Sequence, residues 1–249
     1  MSRWILLRGL TRESGHWGTF TAQFARAMPG YNVVALDLPG NGSLCQLASP
    51  PRVQDMVAHC RAELARRLLP PPYFLLGMSL GAMVAVAWSA AHPDEVAAQV
   101  LINTSLRPFS PFYQRLRPRN YGLLLRLALG DASGERWERS ILRITSNRAH
   151  DHVLPLWQAL RERHPVTRAN ALRQLLAAAR YRAPRTLITP TLLLASAQDQ
   201  LVSVACSHTL ARVWQCDLQL HPTAGHDLPL DDGDWVARQI ATAYKLLNL

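Results

Sequence analysis

The stretch Tyr73 to Ala91, YFLLGMSLGAMVAVAWSAA, holds no Asp, Glu, Lys or Arg. It opens on a short apolar run, Tyr73-Phe74-Leu75-Leu76, and passes through Gly77-Met78-Ser79-Leu80-Gly81. From Ala82 to Ala91 its residues are small and apolar enough for a buried helix. A strand, a five-residue G-x-S-x-G turn and a helix form the context in which this motif carries chemistry. Gly77 and Gly81 have no Cβ to clash where strand and helix pass, and the sharp turn forces a strained backbone on its central residue. The expected result is an exposed Ser79 Oγ above a sheet, with the N–H of Leu80 beside it at the helix N-terminus. Nucleophile and oxyanion donor are then placed together. Two plainer readings compete. The uncharged run approaches the length of a membrane span, but two glycines and a serine interrupt it, so no span is expected. A chance G-x-S-x-G in an Ala-rich helix is the other, and only partners elsewhere in the chain decide against it.

At 249 residues the chain is long enough for one large domain or one domain with an insertion. An apolar content of 49% against 18% charged residues excludes a disordered chain. The start, MSRWILLRGL, lacks a signal-peptide apolar region and runs at once into a strand. Cys45, Cys60, Cys206 and Cys216 lie far apart without metal-ligand spacing. Reduced, mostly buried thiols in a cytoplasmic protein are therefore expected, with no metal. The net charge of +10 is unevenly placed: residues 104–188 carry 16 Arg against five acids, a net of +11, and the rest is nearly neutral. That block could face an acidic partner, or it could be solvated helix faces in an Arg-biased composition.

Strand and helix patterns alternate on both sides of that block. Strands are expected at Trp4 to Leu7, Tyr31 to Leu36, Tyr73 to Leu76, Val96 to Asn103, Thr191 to Ser196 and Asp217 to His221. Helices are expected at about His16 to Met28, Val53 to Leu69, Ala82 to Ala91, Val204 to Trp214 and Trp235 to Leu247. Crossovers of this length imply α/β architecture with a mostly parallel, doubly wound sheet covered on both faces. Residues 104–188 instead read as helices near Tyr121–Leu129, Glu135–Thr145, Asp151–Arg163 and Thr167–Tyr181, without a convincing strand. They are expected to form a helical cap inserted into a core of residues 1–103 and 189–249.

A serine hydroxyl needs an imidazole to take its proton, and the imidazole needs a carboxylate to hold its tautomer. Asp199 follows the apolar strand ending at Ser196, and His226 follows Gly225 just past the last strand. The chain order Ser79, Asp199, His226 is the one associated with this elbow. The competing readings are plain: Asp199 as a helix cap, His226 as a surface loop histidine, and His221 as a rival stopped by Pro222. Asp37, opening Asp37-Leu38-Pro39-Gly40-Asn41-Gly42-Ser43, is expected to brace that loop. Asp227, Asp231 and Asp232 read as solvated loop charges. The glycine-rich loop is not followed by Gly-Lys-Ser/Thr, which argues against a phosphate site. The basic block has no nucleic-acid motif or regular aromatic interleaving.

With these motifs the chain resembles the α/β-hydrolase superfamily, and more narrowly its small, cap-bearing, esterase-like members. The resemblance runs from Trp4 to the final helix. It implies a sheet trimmed to about six strands and a serine hydrolase that cleaves a small carboxylic ester through an acyl-enzyme, without a cofactor. In that family the residue after a His-Gly pair supplies the second oxyanion N–H, a role that falls here to Leu10 beside Leu80. Arg8 stands where the family usually has histidine, which puts the bracing of that loop in question. Members such as the pimeloyl carrier-protein methyl ester esterases would need a basic lid to dock an acidic carrier protein. Thioester, amide, C–C or perhydrolytic chemistry runs on the same triad. A non-catalytic protein binding through the basic block is the reading from another class.

Overall fold

The computed structural model describes residues 2–129, 134–148 and 150–246. Six strands form one sheet: β1 (Arg3–Leu7), β2 (Asn32–Leu36), β3 (Tyr73–Met78), β4 (Val96–Ile102), β5 (Thr191–Ser196) and β6 (Asp217–His221). Their spatial order is β2-β1-β3-β4-β5-β6, and every neighbouring pair is parallel. All six C-terminal ends therefore share one edge.

The helices before the fourth strand ends are α1 (Phe20–Ala27), α2 (Val53–Arg66) and α3 (Leu80–Ala91). Between β4 and β5 come α4 (Phe112–Arg115), α5 (Tyr121–Leu129), α6 (Gly134–Thr145), α7 (Leu154–Arg163) and α8 (Arg168–Arg180). The chain continues with α9 (Ala205–Trp214) and α10 (Leu228–Leu246).

Successive side chains of a strand point to opposite faces. On β1, Trp4 and Leu6 meet Phe24, Val236, Ile240 and Tyr244 of α1 and α10. Ile5 and Leu7 join the opposite cluster, with Met56 and Leu64 of α2, Val84 and Trp88 of α3 and Leu210 of α9. Trp4 lies edge-on to Phe24 at 5.1 Å and to Tyr244 at 5.0 Å. Covering both faces is what an all-parallel sheet requires, and it explains why the inner strands β1, β3 and β5 read as nearly unbroken apolar runs while the edge strand β6, DLQLH, does not.

Two helix boundaries differ from the sequence pattern. The expected helix from His16 is divided, because Ser14–Trp17 is one 3-10 turn and Gly18, at φ 53°, redirects the chain before α1 begins. The last helix starts earlier than Trp235 and bends at Asp232 (φ −154°, ψ 73°). There Trp235 N–H donates to the Asp232 carboxylate at 3.0 Å, so the expected helix is the second half of α10. Its expected last residue, Leu247, lies outside the described residues.

The connection between β4 and β5 is helical as read, with the short α4 added. Leu142, Leu154 and Trp157 of α6 and α7 make a small apolar cluster of their own. Buried polar groups tie the connection to the sheet side. Gln174 donates to Asn41 Oδ1 at 2.8 Å and Ser49 Oγ at 3.0 Å, and its Oε1 accepts the Thr11 N–H at 2.8 Å. Arg12 Nη1 donates to Glu138 Oε2 at 2.6 Å, with its guanidinium 4.2 Å from the Trp157 ring centroid.

Candidate active site

The turn from β3 into α3 is as tight as the sequence demands. A Cβ on Gly77 would lie 2.6 Å from Ala82 Cα, and one on Gly81 would collide with the Leu7 carbonyl. Between them Ser79 has φ 54° and ψ −113°, outside the regions open to ordinary L-residues and costing about 1–3 kcal/mol. Surrounding bonds hold it there. Ser79 N–H donates to Ile102 O at 3.0 Å, and Ser79 O accepts from Ala82 N–H at 3.1 Å and Thr104 Oγ at 3.2 Å. Ser79 Oγ makes no hydrogen bond among the described residues. Leu10 and Leu80 N–H likewise have no acceptor there, although Thr11 and Arg12 beside Leu10 donate to Gln174 Oε1 and Gly9 O. The Gly9 backbone runs against the serine: a Cβ built there would lie 3.3 Å from Ser79 Cβ.

Asp199 and His226 meet. The Asp199 carboxylate is buried in the loop after β5, and its Oδ1 accepts the N–H groups of Leu201 at 2.7 Å and Val202 at 2.9 Å. Its Oδ2 is 2.7 Å from His226 Nδ1. An ionised carboxylate only accepts, so Nδ1 carries the shared proton and Nε2 is left as the basic nitrogen. Asn103, just past β4, fixes the histidine loop, as its Nδ2 donates to His226 O at 2.8 Å while its Oδ1 accepts Ser196 N–H at 2.8 Å. One amide thus joins the ends of β4 and β5 to the loop after β6. Its sequence signal was slight, a lone Asn directly after a buried strand.

Three acidic residues correct the sequence reading. Asp227, expected to be solvated, is 3% exposed and forms a two-pronged pair with Arg8, at 2.6 Å to Nη2 and 3.1 Å to Nη1. Burial alone would push the Asp227 carboxyl up, but the Arg8 charge and hydrogen bonds outweigh it and hold the group below the usual carboxylate range. The Arg8 guanidinium also lies 4.8 Å from the Trp17 ring centroid. Arg8 therefore braces the loop whose usual histidine it replaces. Asp231 is buried too, accepting Gly225 N–H at 2.6 Å and Asn147 N–H at 3.0 Å. Asp232 is half-buried and faces His221 Nε2 at 3.2 Å.

Asp37 braces its loop as expected, accepting Ser14 N–H at 2.7 Å and Ser43 N–H at 3.0 Å. His221, the rival histidine, has Nδ1 occupied by the N–H groups of Thr223 and Ala224. His16 is buried, and desolvation followed by the Arg12 and Arg8 charges holds its imidazole well below the usual 6.5. All four cysteines are free, and burial pushes the Cys60 thiol up to about 12. Among the described residues no group of three or more His, Cys, Asp or Glu could hold a metal ion. No helix among them is long and apolar enough to cross a membrane. An open cleft of about 430 Å³ lies beside the Asp199 loop, lined by Leu142, Ser146, Asn147, His150, Gln198 and Gln200 among others.

Comparison with known proteins agrees with this architecture. The family model described as "Alpha/beta hydrolase family" matches residues 4–239. The pimeloyl-[acyl-carrier protein] methyl ester esterase of Chromobacterium violaceum is 33% identical over 92 residues, covering 37% of this chain and 34% of that protein. The (E)-2-((N-methylformamido)methylene)succinate hydrolase of Acinetobacter baylyi is 28% identical over 99 residues, covering 40% and 36%. Each match thus spans about a third of the length of these curated relatives. An esterase from Exiguobacterium antarcticum superposes with a TM-score of 0.80 at 15% identity, over 98% of this chain and 92% of the other, a likeness of fold.

Proposed function

Because the chain belongs to the α/β-hydrolase family, we propose that it is a serine hydrolase cleaving carboxylic esters, with Ser79, His226 and Asp199 as its triad. The observation that carries this reading is the 2.7 Å Asp199–His226 pair on the sheet edge where strained Ser79 also stands. Ser79 Oγ attacks the ester carbonyl while His226 Nε2 takes its proton. Asp199 holds the tautomer and stabilises the imidazolium. The unspent N–H groups of Leu10 and Leu80 receive the developing oxyanion. His226 then protonates the departing alkoxide, and water, activated by the same imidazole, releases the acid from Ser79. The Ser79–His226 bond, open here, closes when substrate is seated, as apo geometries of such sites commonly do. No cofactor is required for these steps.

Residues 104–188 are assigned as a cap over a core of residues 1–103 and 189–249, and the four free thiols suit a reducing cytoplasm. One surface observation favours an acidic carrier protein as bearer of the ester. No acid occurs between Glu95 and Asp131, while Arg107, Arg115, Arg117, Arg119 and Arg126 do. Each of the five donates to a backbone carbonyl and none is in an ion pair among the described residues; Arg119 and Arg126 are exposed, Arg107 and Arg117 partly so, and Arg115 is largely buried. Steering by such a surface makes kcat/KM for a carrier-borne ester fall more steeply with salt than for a neutral ester. Equal salt responses discard the carrier.

Ser79→Ala tests the reaction itself. Turnover of p-nitrophenyl butyrate is expected to fall about a thousandfold or more with the fold retained. Fluorophosphonate labelling is lost in the same variant. Unchanged turnover overturns the assignment.

A further inference from the structure

Arg8 and Asp227 are 219 residues apart, yet they make a fully buried ion pair, with side chains 2% and 4% exposed. Their neighbours in sequence explain why that matters. Arg8 directly precedes Gly9-Leu10, and Asp227 directly follows His226. The pair is thus a rivet between the loop that offers the Leu10 N–H and the loop that carries the imidazole. Two hydrogen bonds in a fork fix direction as well as distance, which a lysine in the same place could not do. Met78, next to Ser79, lies under the guanidinium, with Sδ 3.4 Å from Arg8 Nη1.

The pair also sets the local charge. Asp199 from the loop after β5 bonds the His226 imidazole, and Asp227 is next to it on its own loop. Arg8 pairs with Asp227, Arg12 stands within electrostatic reach of it, and buried His16 lies 2.9 Å from Arg12 Nη1. One step out is Asp231, with His150 beside it at 3.3 Å. Arg12 is paired with Glu138 and Asp231 is tied to Gly225 N–H. If Arg8 were neutral, burial would push the Asp227 carboxyl up until it took a proton, and the fork would be lost with the charge. If Asp227 were neutral, the imidazole would stand near a guanidinium with no counter-charge.

We propose that Arg8 and Asp227 are positioning residues of the hydrolytic site, a buried pair that locks the oxyanion loop to the histidine loop and leaves no net charge of its own beside the imidazole. This rests on the serine-hydrolase reading above, which assigns the roles of Leu10 and His226. Neither residue touches the reacting atoms. They act through the groups that do.

The two single variants should differ at His226. Arg8→Met keeps the stem and removes the charge, and the buried Asp227 carboxyl is then expected to take up a proton, so the titration midpoint of the His226 imidazole, followed by NMR, stays near the parent. Asp227→Asn leaves Arg8, which cannot shed its proton, uncompensated, and the midpoint is expected to fall by about one pH unit. The double variant Arg8→Met/Asp227→Asn should return it near the parent while kcat stays at least tenfold down with KM little changed, because the fork is gone. A spacer or packing role would lower stability and leave all three midpoints alike. A midpoint that stays put or rises in Asp227→Asn overturns the proposal. If Arg8→Met does not fold, Asp227→Asn decides alone: a lowered midpoint supports the pair and an unmoved one overturns it. The titration is read on the imidazole itself, so it tests the pair even if no ester is turned over. Loss of the hydrolase reading would show separately, in the Ser79→Ala comparison.

Discussion

Around β3 and α3, Leu75, Leu76, Leu80, Val84 and Trp88 are buried with no charged residue in the span. The connection between β4 and β5 adds Leu106, Ala177, Tyr181 and Ala183 to that core, of which only Ala177 is in a helix. Much of the rest of its hold is polar, through groups such as Gln174, Asn170 and the Arg12–Glu138 pair. Apolar burial is non-directional and shared over many contacts. Buried polar anchors are few, directional and costly to leave half-made. The first region should therefore break only at its tightest backbone crossing, the second at any one of several side chains.

The largest expected effect tests the crossing. Gly81→Ala sets a methyl against the Leu7 carbonyl, with Arg8 O also within 2.7 Å. Neither strand can yield without disturbing the sheet, so urea denaturation should show a loss of about 4 kcal/mol or failure to fold. A loss below about 1 kcal/mol would mean the crossing has slack.

Next comes Glu138→Ala, which strands the buried Arg12 charge and should cost about 3 kcal/mol. Hydrogen exchange should show protection falling first in α6 and α7, with β3 and β4 little changed. Equal loss in both regions would erase the contrast between them. Replacing both partners with apolar residues of similar size should restore most of the stability.

The smallest effect is a pH slope. His16 is held neutral in the fold, its imidazole well below 6.5 because of burial and the Arg12 and Arg8 charges. Below pH 6.5 the unfolded chain therefore binds a proton that the folded chain refuses. Stability then falls with falling pH, by at most about 1.4 kcal/mol per unit from this group. His16→Gln should remove that part of the slope between about pH 6.5 and 5. Parallel stability curves for parent and variant would refute it.

What the sequence disclosed was whatever is local. Ser79 is announced by its own flanking glycines, and Asp199 and His226 by the strands that end just before them. Strand and helix identities follow from unbroken apolar runs and helical stripes, apart from the displaced starts of α1 and α10. The acids after His226 were misread for a physical reason. A carboxylate in a polar stretch looks solvated unless its partner is known, and the partners of Asp227 and Asp231 lie 219 and 84 residues away. The clue available was Arg8 itself, an arginine at the end of the apolar strand Trp4 to Leu7, where a buried cation demands a counter-charge. Asn103 was hidden likewise, because the end of β5 and the histidine loop that it bonds reach it only once β4, β5 and β6 lie side by side.

The loop bearing His226 is gripped from outside the sheet as well as from within. Asp227 N–H donates to Thr145 O at 2.7 Å, and the Asp231 carboxylate accepts both Gly225 N–H and Asn147 N–H, so the far end of α6 is part of its mounting. Ser79 has no such tie, being fastened only to Ile102, Thr104 and the first turn of its own helix. A push on the α6 terminus, for instance by something wedged into the neighbouring 430 Å³ cleft, should therefore move the His226 loop and leave Ser79 in place. Under the proposed hydrolysis, that would disturb the imidazole's role and spare the serine's.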